Sequence, residues 1–208
     1  HGTSKQGISV AFKRSKNFGK IIPVFQKDGR VLVFKIYLFE EPWFFINIYA
    51  PAKKPERKLF YETLYEDLRQ IVFGNIICVG DFNFVENALD RRPPSNEPEV
   101  GFSEFINLKN LLGLIDTGEI GETTFVHRVH RTEARLDRFY ISHPNGFSEL
   151  KTTVTPISPS DHRCITLKLC KETQSKTGRG YWKFNTTLLS DQHHKESLGY
   201  IILRYLPP

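Results

Sequence analysis

Asp81 and Asn83 follow almost directly on an unbroken apolar run, Ile76-Ile77-Cys78-Val79, with Gly80 between. Such a run reads as a strand buried on both faces. Residues two apart on an extended chain project from one side. A carboxylate and an amide therefore stand together at the carboxyl end of a core strand, where α/β proteins often keep their sites. Four further stretches carry similar side chains at strand ends. Tyr49 closes Asn47-Ile48-Tyr49 ahead of Pro51, and Thr124 lies in Thr123-Thr124-Phe125. Asp137 stands between Arg135 and Arg138, and Ser160-Asp161-His162 precedes Cys164-Ile165-Thr166-Leu167. Each also has a plain structural reading. Asp81 and Asn83 are common turn residues, Asp137 can pair with its flanking arginines, Asp161-His162 can be a turn, and Tyr49 can be a core ring.

The elements around these residues are mostly strands. Ile8–Lys13 is a short strand candidate, and Ile21–Leu38 reads as a hairpin turning at Lys27-Asp28-Gly29-Arg30. Trp43–Tyr49 is a further strand. Pro55 opens a helix with Phe60, Leu64, Leu68, Ile71 and Val72 on one face, ended by Gly74. A second helix, Glu104–Leu112, has Ser103 as its expected cap and Gly113 as its stop. Thr123–Val126, Leu136–Ser142, Leu150–Thr155 and Cys164–Leu169 complete the strands. This excess of strands, with few helical crossovers, predicts two largely antiparallel or mixed sheets packed together with helices outside. From Lys171 the chain turns polar and reads as a linker.

Composition narrows the classes. At 208 residues, 39% of them hydrophobic, the chain is long enough for one sizeable core and is not of disordered composition. Net charge is +6, a modest basic excess that favours a polyanionic partner. No run is long and apolar enough to span a bilayer as a helix. Cys78, Cys164 and Cys170 fit neither a disulfide framework nor a Cys-x-x-Cys zinc site, so buried free thiols in a reducing compartment are expected. His127 and His130 lack a nearby carboxylate or cysteine to complete a metal site. The chain has no Met and opens on His1, which reads as a segment of something longer.

Taken in order, Tyr49, Gly80-Asp81-Phe82-Asn83, Thr124, Asp137 and Ser160-Asp161-His162 resemble the endonuclease/exonuclease/phosphatase superfamily, the DNase I-like fold. The closer resemblance is to the apurinic-type endonuclease domain of LINE-like non-LTR retrotransposons. It rests on Leu89-Asp90-Arg91, on Arg135-Leu136-Asp137-Arg138-Phe139-Tyr140-Ile141-Ser142, and on Tyr181-Trp182-Lys183-Phe184-Asn185, which looks like a linker toward a reverse transcriptase. The implied class is α/β (α+β), a four-layer α/β/β/α sandwich lacking its first strand–helix–strand portion. Residues 1–170 would form the domain and 171–208 the linker.

The implied activity is nicking of target DNA by phosphodiester hydrolysis, a reaction governed by positioning and charge neutralisation. By the resemblance, Asp81 would orient and deprotonate the attacking water, Asn83 would position it, and His162 would face the scissile phosphate. Asp137 would fix the histidine tautomer. Asp81 and Asp161 would hold Mg²⁺ (or Mn²⁺), and Tyr49 and Thr124 would contact phosphate oxygens. Asp90 and Arg91 would lie near the nucleic-acid groove, with Arg128, Arg131 and Arg135 in or beside a DNA-entering hairpin, Val126–Ala134. Implied partners are DNA and, through a downstream reverse transcriptase, the element's RNA, for a monomer working in the nucleus and not at a membrane.

The chain departs from this pattern at two places. The first-strand Asn and the metal-binding Glu would both precede Gly7-Ile8-Ser9-Val10. Glu40 and Glu41, the only glutamates before Tyr49, fall in an expected hairpin turn. Ala134 also stands where many relatives carry a small hydroxyl residue. The 208 residues alone are therefore expected to be nearly inactive. The alternatives are a decayed, non-catalytic nucleic-acid-binding remnant and a phosphatase or phosphodiesterase of the same superfamily.

Overall fold

The computed structural model describes residues 7–13, 18–95, 99–127, 129 and 131–171. The tail readings, Tyr181-Trp182-Lys183-Phe184-Asn185 among them, lie outside the described residues, as do Arg128 and His130. In chain order the elements are β1 (Phe18–Lys27), β2 (Val31–Leu38), β3 (Glu41–Tyr49), α1 (Lys54–Leu68), β4 (Asn75–Asp81), a 3-10 turn (Ala88–Asp90), β5 (Arg91–Arg92) and α2 (Phe102–Leu111). There follow β6 (Ile115–Asp116), β7 (Phe125–His127), β8 (Thr132–Ala134), β9 (Asp137–Ile141), β10 (Phe147–Thr155) and β11 (Cys164–Lys171).

The large sheet runs β1-β2-β3-β4-β9-β6. β3 and β4 pair in parallel, and the other neighbours pair antiparallel. A parallel pair needs a crossover, and α1 provides it. Strand periodicity then sorts the apolar run of β4: Ile76 and Cys78 join the core beneath α1 and α2, while Ile77 joins the opposite core. β3 divides likewise, with Phe44, Ile46 and Ile48 on the helix side and Trp43 and Phe45 on the other. The helix-side core is built on Tyr61, Leu64, Leu68, Phe82, Phe105 and Tyr140, all essentially buried. Phe147, Leu150, Leu167 and Leu169 of the β10–β11 hairpin cover the second face. Helices, large sheet and smaller sheet thus form successive layers. A third sheet, β5-β8-β7, carries the hairpin expected at Val126–Ala134.

Four expectations change. Residues 8–13 form no strand: Ile8 N–H reaches Gly29 O at 3.1 Å, and Phe12 contributes its ring against Phe34 and Phe45. The second helix is capped by Gly101 in the left-handed region, φ 89°, and not by Ser103, whose hydroxyl bonds Glu104. The first helix ends at Leu68, ahead of Gly74, with Ile71 in the turn after it and Val72 just beyond. Of the thiols only Cys78 is buried; Cys164 is exposed and Cys170 half-buried beside Glu149.

Gly80 faces the helix side at φ 150°, and a Cβ there would overlap the Ile48 carbonyl of the neighbouring strand. Gly80→Ala therefore meets both backbone strain and a clash. It is expected to destabilise the chain by roughly 2–4 kcal/mol. Chemical denaturation decides this, and a change within 0.5 kcal/mol, about what an innocuous surface substitution gives, would sink it.

Candidate active site

Register creates the site. Tyr49 lies opposite Asp81 across the parallel β3–β4 pair, and Asp81 lies opposite Asp137 across the antiparallel β4–β9 pair. The three residues form one row at one end of the sheet. Alternation puts Asp81 on the same face as Ile77, and Asp137 on the same face as Phe139 and Ile141, which is the face covered by β10–β11. Just before β11 the chain adds His162, whose Nδ1 lies 2.8 Å from Asp137 Oδ2. Donor atoms of Asp81, Asp137 and His162 all fall within 4.8 Å of one another.

Asn83 locks the Asp81 carboxylate. Its backbone N–H donates to Oδ1 and its side-chain Nδ2 donates to Oδ2, both at 2.9 Å. The same Nδ2 reaches Ala50 O at 2.8 Å, tying the end of β4 to the chain leaving β3. Asn83 adopts φ 54° to do this, a conformation asparagine tolerates better than most residues. The turn reading of Asp81-Phe82-Asn83 and the site reading are thus both satisfied by the same bonds.

Burial, followed by the negative charge of Asp137, pushes the Asp81 carboxyl up to about 6, against the lowering pull of Asn83 and His162. The His162 imidazolium is favoured, first by its hydrogen bond to Asp137, and its pKa is raised. Two carboxylates facing each other, one of them pushed up by burial and by its neighbour's charge, suit a hard divalent cation. Asp81 retains unused lone pairs for one. Asp137 Oδ2 is engaged by His162, so Asp81 with Asp137 Oδ1 would hold such an ion, and water and substrate oxygens would complete its shell. Asp161, expected as a ligand beside Asp81, is exposed and outside this cluster, with its carbonyl accepting from Val126 N–H at 2.9 Å.

Several expected contacts to nucleic acid are corrected. Thr124 is 1% exposed, and its Oγ1 accepts the N–H groups of Leu136 and Asp137, both at 2.9 Å. It seats Asp137 and does not present its hydroxyl to a phosphate. Asp90 is likewise 1% exposed, accepting from Gly121 N–H and lying 3.8 and 3.6 Å from the Arg135 and Arg138 guanidinium groups. Arg135 is buried and gripped by both oxygens of Asp116, at 2.6 and 2.8 Å. Neither residue is placed to touch DNA. Arg91 is paired with Glu99 at 2.5 Å and remains one-third exposed; Arg131 is exposed in the hairpin turn. Arg138 extends to the face opposite Asp137, stacking on Phe84 and donating to its carbonyl. The flanking arginines are thereby occupied elsewhere, which leaves Asp137 for His162. Glu40 sits in the β2–β3 turn and Glu41 begins β3, paired with Lys171. That end of the strand is ~26 Å from Tyr49 and Asp81 at the usual rise per residue.

No protein-family model matches the chain. Over 178 residues it is 29% identical to an uncharacterized 149 kDa protein of transposon TX1 from Xenopus laevis, covering 82% of this chain and 14% of that protein. Among solved structures it is similar to the endonuclease domain of TRAS1, a telomere-specific non-LTR retrotransposon. The TM-score is 0.54 at 18% identity, over 70% of this chain and 64% of that one. The catalytic domain of Xenopus laevis APE2 superposes with a TM-score of 0.44 at 17% identity, over 69% of this chain and 57% of that one. The fold is DNase I-like. The resemblance read from the motifs holds at the level of that superfamily's architecture.

Within the DNase I-like frame, sequence reasoning missed the Arg163 guanidinium, which donates to the carbonyl and hydroxyl of Thr123, each at 3.0 Å. The partners are 40 residues apart, and neither spacing nor local composition signals the contact. It also missed Asp116 as the half-buried partner of the buried Arg135.

The Asp81 shift has a sign that can be measured. Between an ordinary carboxylate value of 3.8 and about 6, the folded chain holds a proton that the unfolded chain has released. The Asp81 contribution to stability therefore falls as pH rises through that window. Asp137→Asn removes a negative neighbour of both groups, so it should lower the Asp81 pKa and also the His162 pKa. Titration by NMR of the carboxyl carbon and the imidazole reads both. Asp81 titrating near 3.8, or a His162 pKa unmoved by Asp137→Asn, would refute the assigned electrostatics.

Proposed function

We propose that this site hydrolyses phosphodiester bonds and nicks DNA, using Mg²⁺ or Mn²⁺. The observation that carries the reading is the row Tyr49, Asp81, Asp137 with His162 bonded to Asp137, beside the β5-β8-β7 sheet that bears Arg91 and Arg131. Asp81, at the centre of the row, would take a proton from an attacking water. Asn83 fixes the carboxylate's orientation through its two donated bonds. His162, its Nδ1 held by Asp137, keeps Nε2 for a phosphate oxygen; in its charged form it can neutralise the developing negative charge. Tyr49 stands beside Asp81 to donate to a second phosphate oxygen. A divalent cation at Asp81 and Asp137 would supply charge neutralisation for the phosphoryl group. Arg91, Arg131 and Arg128 would contact the backbone, a positioning and salt-dependent role.

The names of the similar proteins favour DNA in a mobile element as the substrate setting. On this reading the nick would prime reverse transcription of the element's RNA in the nucleus, by a polymerase domain reached through residues 171–208. The catalytic unit would be monomeric. Because the match spans 14% of the transposon protein, the working enzyme is proposed to be a longer chain whose upstream part adds a carboxylate to the cation.

Plasmid nicking tests the reading. In such a longer chain, Asp81→Ala and His162→Ala should each cut the Mg²⁺-dependent rate by about 10²- to 10⁴-fold, while the 208 residues alone should be nearly silent. A near-native rate in either variant removes that residue from the mechanism. Turnover of inositol phosphates with no nicking would favour a phosphatase instead.

A further inference from the structure

We infer that Arg163 is a positioning residue for His162, acting through a clamp on Thr123. The inference rests on the reading of His162 as a working group of the proposed site.

His162 has thin backbone support. It lies between the Pro159 loop and β11, and its strand-like pairing is a single isolated bridge to Phe125. Two backbone bonds make that bridge: Val126 N–H to Asp161 O at 2.9 Å and Arg163 N–H to Thr124 O at 2.7 Å. A bridge this short fixes position along the strand but resists twisting poorly, and an imidazole must keep both distance and plane to hold its bond to Asp137.

The Arg163 side chain supplies the missing constraint. Its Nη1 donates to Thr123 O and to Thr123 Oγ1, both at 3.0 Å, extending the contact one residue beyond the bridge. Thr123 is 4% exposed, so this contact is shielded from competing water. Its hydroxyl accepts from Arg163 and donates to Glu133 Oε2 at 2.9 Å, so donor and acceptor capacities match along the chain. Glu133 lies on β8 and brings a negative charge to the far end of the relay.

The clamp grips the same segment that seats Asp137. Thr124 Oγ1 receives the N–H groups of Leu136 and Asp137, and the Phe125 ring lies 5.0 Å from the imidazole. Residues 123–125 therefore set both halves of the Asp137–His162 pair. Arg163 ties the histidine half to that template. Its Nη1 is committed to Thr123, and on this inference the side chain acts on the reacting phosphate through His162. Small displacements of such a group have large kinetic consequences: about 10²-fold for 1 Å.

The test uses Arg163→Ala, Arg163→Lys and Thr123→Val, with two readouts. In the NMR spectrum of the 208-residue chain, the exchange-protected Nδ1–H of His162 should be present in the wild type and lost or broadened in Arg163→Ala, with the dispersed amide spectrum retained. In the nicking assay of the longer chain, Arg163→Ala should lower kcat about 10- to 100-fold with KM for DNA near its original value. Millimolar guanidinium should recover part of that loss. Thr123→Val should shift both readouts in the same direction by less, and Arg163→Lys should fall between. If Arg163→Ala fails to fold, those two variants carry the decision. An intact imidazole signal, an unchanged kcat, or a rise in KM matching the fall in kcat would each overturn the inference, the last by making Arg163 a direct DNA contact. If the wild type nicks no DNA with any divalent cation, the proposed function fails, and the imidazole signal alone judges the clamp.

Discussion

The pairing of Asp81 with Asp137 across β4 and β9 is the constraint on which the site depends. Two carboxylates opposed on a buried strand pair repel each other, and nothing local to either residue would choose that arrangement. The ladder imposes it. Apolar residues on both sheet faces hold the register, because a slip by one residue would carry Ile77, Phe139 and Ile141 to the wrong side. The stability of two cores thus maintains one unfavourable pair. Asn83 and His162 then offset part of the cost with hydrogen bonds and charge.

Directly behind that pair the molecule places a second set of charges with a different purpose. The buried Arg135, Arg138 and Asp90 meet the half-buried Asp116 in one cluster. Removing one member of such a cluster strands an opposite charge, at a penalty of several kcal/mol. The cluster joins the 3-10 turn to β6 and β9, and Gly118 leaves the room that the Arg135 guanidinium fills. Its consequence for the site is indirect and important. With both arginines drawn away from it, the Asp137 carboxylate is left, among the described residues, to His162.

The segment 123–126 has a comparable economy. Thr124 holds Asp137, Phe125 walls the imidazole, Thr123 takes Arg163, and Val126 takes the carbonyl of Asp161. One short extended stretch therefore reads both sides of the dyad, and it continues directly into the β7–β8 hairpin.

How much was legible without coordinates follows from range. The run Ile76–Val79, the turn at Asp28-Gly29, the Pro55 helix start and the Asp81–Asn83 spacing are set by periodicity and local backbone preference, and each survives in the structure. Order along the chain was also enough to reach the superfamily fold. What local pattern could not decide was partnership. Asp90, Arg135 and Thr124 look like exposed polar residues beside a site, yet long-range contacts bury them and consume their donors and acceptors. Residues 8–13 have a strand's composition, but among the described residues they join no ladder, and Ile8 N–H bonds Gly29 O. Composition and spacing act within a few residues and so determined elements and candidate chemistry. Which group meets which is often settled between residues far apart in the chain, 25 positions for Asp137–His162 and 40 for Thr123–Arg163, and only tertiary packing brings those together.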